Sequence, residues 1–242
     1  LNPIAGTRGV FDAAQLRARL RPDRPHAPRQ RLVAVEQTAN LGGGTVWPLA
    51  TLQDVAAVAR ERGLATHLDG ARLFNAAVAS GIDVATWSAP FDSVWVDFSK
   101  GLGAPGGAVL AGSAEFVREA ERLKLRWGGA MRQSGIIAAA CDYALDHHVT
   151  RLAEDHANAR RLAEGVAAIA GLAIDPATVE TNLVYFDVTA PALDAADLCR
   201  RLAGHGVRMG EMGQRTVRAV THLDVGFADI AAALDALRLA LG

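Results

Sequence analysis

The chain has 242 residues, 50% hydrophobic and 21% charged, with 25 Lys and Arg against 26 Asp and Glu for a formal net charge of -1. That length suits one large α/β domain or two smaller ones, the apolar content excludes wholesale disorder, and the charge balance argues against nucleic-acid or membrane-surface partners. Two cysteines, Cys141 and Cys199, are too few for a disulfide framework, charged residues interrupt every apolar run, and no signal peptide is legible, so the composition predicts a soluble, cytoplasmic protein.

Residues 1–30 read as a connecting region, with a short helix from Asp12 to Arg19 and a Pro- and Arg-rich stretch from Pro22 to Arg29. Leu32 to Glu36 is an apolar run fit for a buried strand, followed by the Gly-rich Leu41 to Thr45. Helical spacing runs from Leu49 to Arg62, with Gly63 as its stop. A second strand, Ala65 to Leu68, ends at Asp69-Gly70. A helix from Arg72 to Ser80 is stopped by Gly81. Strands are predicted at Ser93 to Phe98 and Gly107 to Ala111, an amphipathic helix at Ser113 to Arg126, and a long apolar helix at Ser134 to His147. Beyond residue 148 come a helix (Arg151 to Ile169), a strand (Asn182 to Val188), a helix (Asp194 to Gly204), a strand (Val217 to Val220) and a closing helix (Phe227 to Leu241). The alternation predicts an α/β domain over 1–147, with a parallel sheet covered on both faces, and a small α+β domain over 148–242.

In open parallel sheets ligands bind beyond the carboxyl ends of the strands. Those ends carry Glu36-Gln37-Thr38, Asp69-Gly70-Ala71-Arg72 and Ser99-Lys100-Gly101. An acid, a guanidinium and an amine would converge there. Pyridoxal phosphate needs a lysine amine for its aldehyde and a carboxylate to keep its ring nitrogen protonated. Lys100 and Asp69, 31 positions apart, would supply them from adjacent strands. Lys100 and Lys124 are the chain's two lysines among 23 arginines, so an amine could be required where a lysine is retained, although chance survival is the alternative. Each residue also has a plain reading: Asp69 as a helix cap, Lys100 as a solvated cation, Arg72 as half of an ordinary ion pair. His147, His148 and His156 do not make a metal set, and Cys141 reads as a core residue.

The segments HLDGARLFNA (67–76), FSKGLGAPGGAVLAG (98–112), GGAMRQSGIIAAA (128–140), LAEDHANARRLA (152–163), ETNLVYF (180–186) and VRAVTHLDV (217–225) are together similar to the L-threonine aldolase family. DGAR, then SKGLGAP, then GGxMRQ is a specific combination. The resemblance implies the aspartate-aminotransferase-like fold (fold type I), represented here by a partial large domain. It also implies pyridoxal phosphate as cofactor and a homotetramer built from dimers. The implied reaction is cleavage of L-threonine, L-allo-threonine or related β-hydroxy-α-amino acids to glycine and an aldehyde. It implies Lys100 as the Schiff-base lysine, Asp69 as partner of the pyridine nitrogen, Arg72 beside the ring's 3-oxygen, and Arg218 as the grip on the substrate α-carboxylate.

Two departures bear on substrate preference. Ala39 stands where the family often has a histidine near the substrate hydroxyl. Lys124-Leu125-Arg126-Trp127 stands where an Arg-Lys pair usually precedes the Gly-Gly turn. The family's phosphate cradle, ring-stacking histidine and a substrate-binding serine belong to a segment that would precede Leu1. On that reading the chain alone is expected to bind cofactor poorly. Two alternatives remain open at this point: a β-eliminating lyase with the same cofactor, and a truncated, non-catalytic paralogue acting as a subunit-binding partner.

Overall fold

The computed structural model describes all 242 residues, which divide into two compact units. The first comprises Leu1–Gly42 and Val46–Val149, the second Gly43–Thr45 and Thr150–Gly242.

In the first unit, helix α1 (Ala13–Arg19) starts at a capping box: the Asp12 carboxylate accepts the Gln15 N–H, and the Gln15 side chain accepts the Asp12 N–H. Strand β1 (Leu32–Glu36) leads through α2 (Leu49–Glu61) to β2 (Ala65–Gly70). The buried residues Leu52, Val55, Ala56, Val58 and Ala59 of α2 recur at helical spacing and bind it to the sheet. Helices α3 (Leu73–Ser80) and α4 (Val84–Ser88) precede β3 (Ser93–Asp97), and α3 ends at Gly81, whose φ of 72° is readily open only to glycine. Then come β4 (Ala108–Gly112), α5 (Ala114–Arg126) and α6 (Gly135–His147).

The sheet order is β1-β2-β3-β4, with β1, β2 and β3 parallel and β4 antiparallel to β3. The expected parallel sheet is found in β1, β2 and β3, and β4 adds an antiparallel edge. Only the loop from Phe98 to Gly107 joins β3 to β4, too short for the crossover that a parallel pair needs. The expectation of two covered faces fails. Val33, Val35, Leu68 and Val94 point into a core with Leu52, Val55, Leu73, Trp47 and Trp87. The opposite face carries Glu36, His67, Asp69, Trp95 and Asp97, all only partly buried. In this unit β4 and α5 contain no buried residue, and α6, read from sequence as a long apolar helix, buries only Cys141 and Ala144.

The second unit contains α7 (Leu152–Ala167), β5 (Leu172–Ala173), a 3₁₀ turn at Pro176–Thr178, β6 (Leu183–Val188), α8 (Ala195–Gly204), β7 (Gly210–Glu211), β8 (Thr216–Val220) and α9 (Phe227–Leu241). Its sheet, ordered β5-β6-β8-β7, is antiparallel throughout. Val184, Phe186, Val188, Val217 and Ala219 form the sheet side of its core, and Leu162, Val166, Leu198, Leu202, Ile230 and Leu237 the helix side. The two-residue strands β5 and β7 escaped the sequence reading because two residues carry no periodicity.

Candidate active site

Asp69 lies near the carboxyl end of β2, level with Glu36 on β1 and Trp95 on β3. Register partners share a face of a sheet, as do residues two apart on one strand. Glu36, Asp69 and Trp95 thus form a row across three strand tips. His67 and Ser93 stand one step behind the row and Asp97 one step ahead.

Lys100 follows β3 by three residues and folds back onto this face. Its Nζ is 2.9 Å from Asp97 Oδ2 and 5.2 Å from the centre of the Trp95 ring. The ring beneath the amine belongs to the register partner of Asp69. The first unit therefore brings the amine of Lys100 and the carboxylate of Asp69 to one face of one sheet edge.

The carboxylates differ in their commitments. Asp97 Oδ1 accepts the Ser99 N–H at 2.7 Å and the Ser99 hydroxyl at 2.6 Å. Burial works against its charge, but the hydrogen bonds from Ser99 and Lys100 outweigh that and hold the carboxyl below its usual range. Asp69 Oδ1 accepts only a local N–H, from Ala71 at 3.0 Å. It does not cap α3, whose N-cap is Arg72. Arg72 is half-buried, and its backbone N–H donates to the Gln37 carbonyl at 3.2 Å. The Gln37 N–H in turn donates to the Asp69 carbonyl at 2.8 Å, so the tips of β1 and β2 are stitched together.

Gln37 and Thr38 are buried at the tip of β1. Gln37 Oε1 accepts the Trp47 N–H at 3.1 Å, while Gln37 Nε2 and Thr38 Oγ1 have no hydrogen-bond partner. Unpaired buried donors are rare and often mark places where a ligand or solvent atom completes the pairing. Ala39 is 4% exposed; a Cβ placed on Gly9 would come within 2.7 Å of its methyl and one on Gly42 within 3.2 Å. The position leaves little room for a larger side chain. His67, on the same face as Asp69, places Nδ1 2.8 Å from the Ser93 hydroxyl. Cys141 is buried and its thiol is pushed up by burial, with Asp142 adding to the effect. No group of three or more His, Cys, Asp or Glu side chains is arranged to hold a metal ion.

Arg218 belongs to the second unit. It is half-buried at the centre of β8, level with Tyr185 on β6 and Gly210 on β7. His222, just beyond β8, lies 3.6 Å from the Asp224 carboxylate and 44% exposed.

Asp97 and Trp95 are additions that the sequence reading missed. The signal was present: Asp97 is three residues before Lys100, and Trp95 is two residues before Asp97.

The β-eliminating lyase family model matches residues 1–189. The chain belongs to this family. The low specificity L-threonine aldolase of Escherichia coli K12 is 38% identical over 221 residues, 91% of this chain and 63% of that protein. The chain spans about three fifths of the length of the curated relatives it matches. The threonine aldolase of Leishmania major superposes with a TM-score of 0.77 at 19% identity, over 98% of this chain and 69% of that one. A serine palmitoyltransferase from S. paucimobilis, with bound PLP-myriocin aldimine, superposes with a TM-score of 0.65 at 20% identity, over 95% and 58% of the two chains. These likenesses show that the chain has the aspartate-aminotransferase-like fold, as its motifs led one to expect.

Proposed function

We propose that the chain carries the reactive amine of a pyridoxal-phosphate-dependent carbon–carbon lyase of the threonine aldolase type. It would act on L-threonine, L-allo-threonine or related β-hydroxy-α-amino acids to yield glycine and an aldehyde. The observation that carries this reading is the sharing of one sheet face by Lys100 and Asp69. The family match and the 34–38% identity to low-specificity threonine aldolases support the choice of reaction.

The donor set fits the cofactor. Lys100 supplies the amine for its aldehyde and Asp69, free of any ion pair in the structure, an anion for its ring nitrogen. Buried donors at Gln37 and Thr38 remain available at the adjoining tip. Pyridoxal phosphate, when bound, supplies a protonated ring that takes up the electron pair left as the Cα–Cβ bond breaks. Asp69 would hold the proton on the ring nitrogen. Arg72, at the start of α3, would stand at the ring's 3-oxygen. Arg218 would hold the substrate α-carboxylate through a bidentate fork, fixing which bond lies across the ring. Ala39 has no titratable group, so the proton of the substrate hydroxyl would pass to another acceptor.

The first unit would then be the cofactor domain and the second the small domain. The exposed Leu125, Trp127, Ile136 and Tyr143 on and beside α5 and α6 favour a homo-oligomer, for which a tetramer is the proposed form. A cytoplasmic location accords with the two free cysteines.

The test is to extend the chain at its amino end by the segment that its longer relatives carry there, titrate that protein with pyridoxal phosphate, read the visible band of the lysine-bound cofactor, and assay L-threonine. Glycine and aldehyde in equal amounts support the reading. Failure to form the band at saturating cofactor overturns it. The family's description favours one competitor, β-elimination, which would release ammonia and a 2-oxo acid instead.

A further inference from the structure

We propose that Asp97 is a positioning residue for Lys100: it holds the side chain folded back against the Trp95 ring and thereby sets how readily that amine reaches and reacts with a carbonyl group. The inference builds on the reading of Lys100 as the cofactor-binding amine and assigns Asp97 a part in that same site.

Three observations carry it. First, Asp97 is a fixed anion. Its side chain is 12% exposed, against 36% for Lys100, and both hydrogen bonds from Ser99 pin its other oxygen. A carboxylate immobilised in this way gives up less freedom on pairing than a mobile surface acid. Second, the ammonium is held from two sides, by the carboxylate at 2.9 Å and by the Trp95 ring at 5.2 Å, the range in which an aromatic face attracts a cation. Third, the cation is a lysine in a chain that uses arginine 23 times and lysine twice. A guanidinium would make the stronger, forked pair with Asp97, so an ion pair serving stability alone does not require an amine here.

The chemistry follows from the lone pair. Nitrogen attacks a carbonyl carbon with its lone pair, and in the ammonium that pair is bound to a proton. Reaction requires the proton to pass from Lys100 to solvent, the freed pair to form the C–N bond, and water to leave. The amine must also leave Asp97 and the Trp95 ring before that pair can face the carbonyl carbon. When the C–N bond is hydrolysed or exchanged, the released amine takes up a proton and returns to Asp97. The two carboxylates on this face thus divide their duties: Asp97 keeps the amine, and Asp69 stays available to another cation.

The chain's lysine content gives a clean experiment. The 242-residue chain, without added cofactor, is treated at pH 8 with a trace of acetic anhydride. Acetylation of Lys100 is measured by peptide mass spectrometry relative to Lys124, which serves as an internal reference. In Asp97→Asn the Lys100/Lys124 ratio is expected to rise about threefold, the scale of one partly exposed ion pair. Asp97→Glu is expected to return it most of the way to the parental value. If the amide variant does not fold, as judged by circular dichroism, Asp97→Ser keeps an oxygen for Ser99, removes the charge, and should give the same rise. An unchanged ratio in the folded neutral variant, or an equal rise in Asp97→Glu, overturns the proposal. The measurement uses no cofactor. If the ratio responds but pyridoxal phosphate forms no band in the amino-terminally extended protein, the proposed function fails while the Asp97–Lys100 pairing stands; if that band forms and the ratio is unmoved, the reverse holds.

Discussion

Asp69 and Trp95 stand opposite one another on parallel neighbouring strands, and the ring of Trp95 lies beneath the amine of Lys100. This relationship converts two distant positions in the chain into neighbours on one surface. It also makes the site sensitive to anything that shifts β2 against β3.

Lys100→Ala removes the amine while leaving the sheet intact, because the side chain contributes no core contact. In a preparation of the parent chain that cleaves L-threonine, the variant is expected to lose at least about a thousandfold in kcat, the scale seen when a covalent catalytic group is deleted. Far-UV circular dichroism should be unchanged. Parental activity in the variant would remove Lys100 from the mechanism.

Gly70→Ala tests the strand pairing itself. A Cβ at Gly70 would lie 2.4 Å from the Trp95 carbonyl oxygen, a backbone atom that cannot turn aside. The strands must part at the point where Asp69 and Trp95 meet. Overpacking of this kind costs about 1–3 kcal/mol, which urea unfolding would read. Cofactor affinity should fall further than stability does, because the displacement separates Asp69 from Lys100.

Arg218→Lys keeps the charge on β8 and removes the fork. If Arg218 grips the substrate carboxylate, KM for L-threonine should rise about tenfold or more, with the cofactor band unchanged. A selective fall in cofactor binding would instead assign the residue to another duty.

The second unit carries an acid-sensitive group. Burial, with Arg160 adding to it, lowers the His156 pKa to about 4. The unfolded chain, with a histidine near its ordinary value of about 6.5, binds the proton first. The His156 contribution is therefore intact above pH 6.5 and is lost as pH falls toward 4, about 2 kcal/mol of it between pH 7 and pH 5. His156→Gln should flatten that limb of the pH–stability curve, as read by hydrogen exchange in α7. An unaltered slope would place the acid sensitivity elsewhere.

Most of the element plan was legible in the chain itself. Gly63 and Gly81, both in left-handed backbone, end α2 and α3 as read, and Asp12, Ser113 and Asp194 cap α1, α5 and α8. Local punctuation of this sort depends on a few neighbouring residues, so sequence carries it. The antiparallel direction of β4, by contrast, was not drawn out, although its connecting loop of ten residues, Phe98 to Gly107, is too short for a crossover.

What the sequence determined unaided was the ordering of strands and helices, the motifs that carry the family likeness, and the residues at the strand ends. What the tertiary structure alone decided was which of those residues share a face. Asp69 could have capped a helix or turned to the sheet edge; register with Trp95 places it at the edge, with only a local hydrogen bond from Ala71. Lys100 could have been solvated; the fold pairs it with Asp97 over the Trp95 ring. The physical reason is that a strand's side-chain direction repeats every two residues, whereas its alignment with a neighbour arises from pairing between segments far apart in the chain.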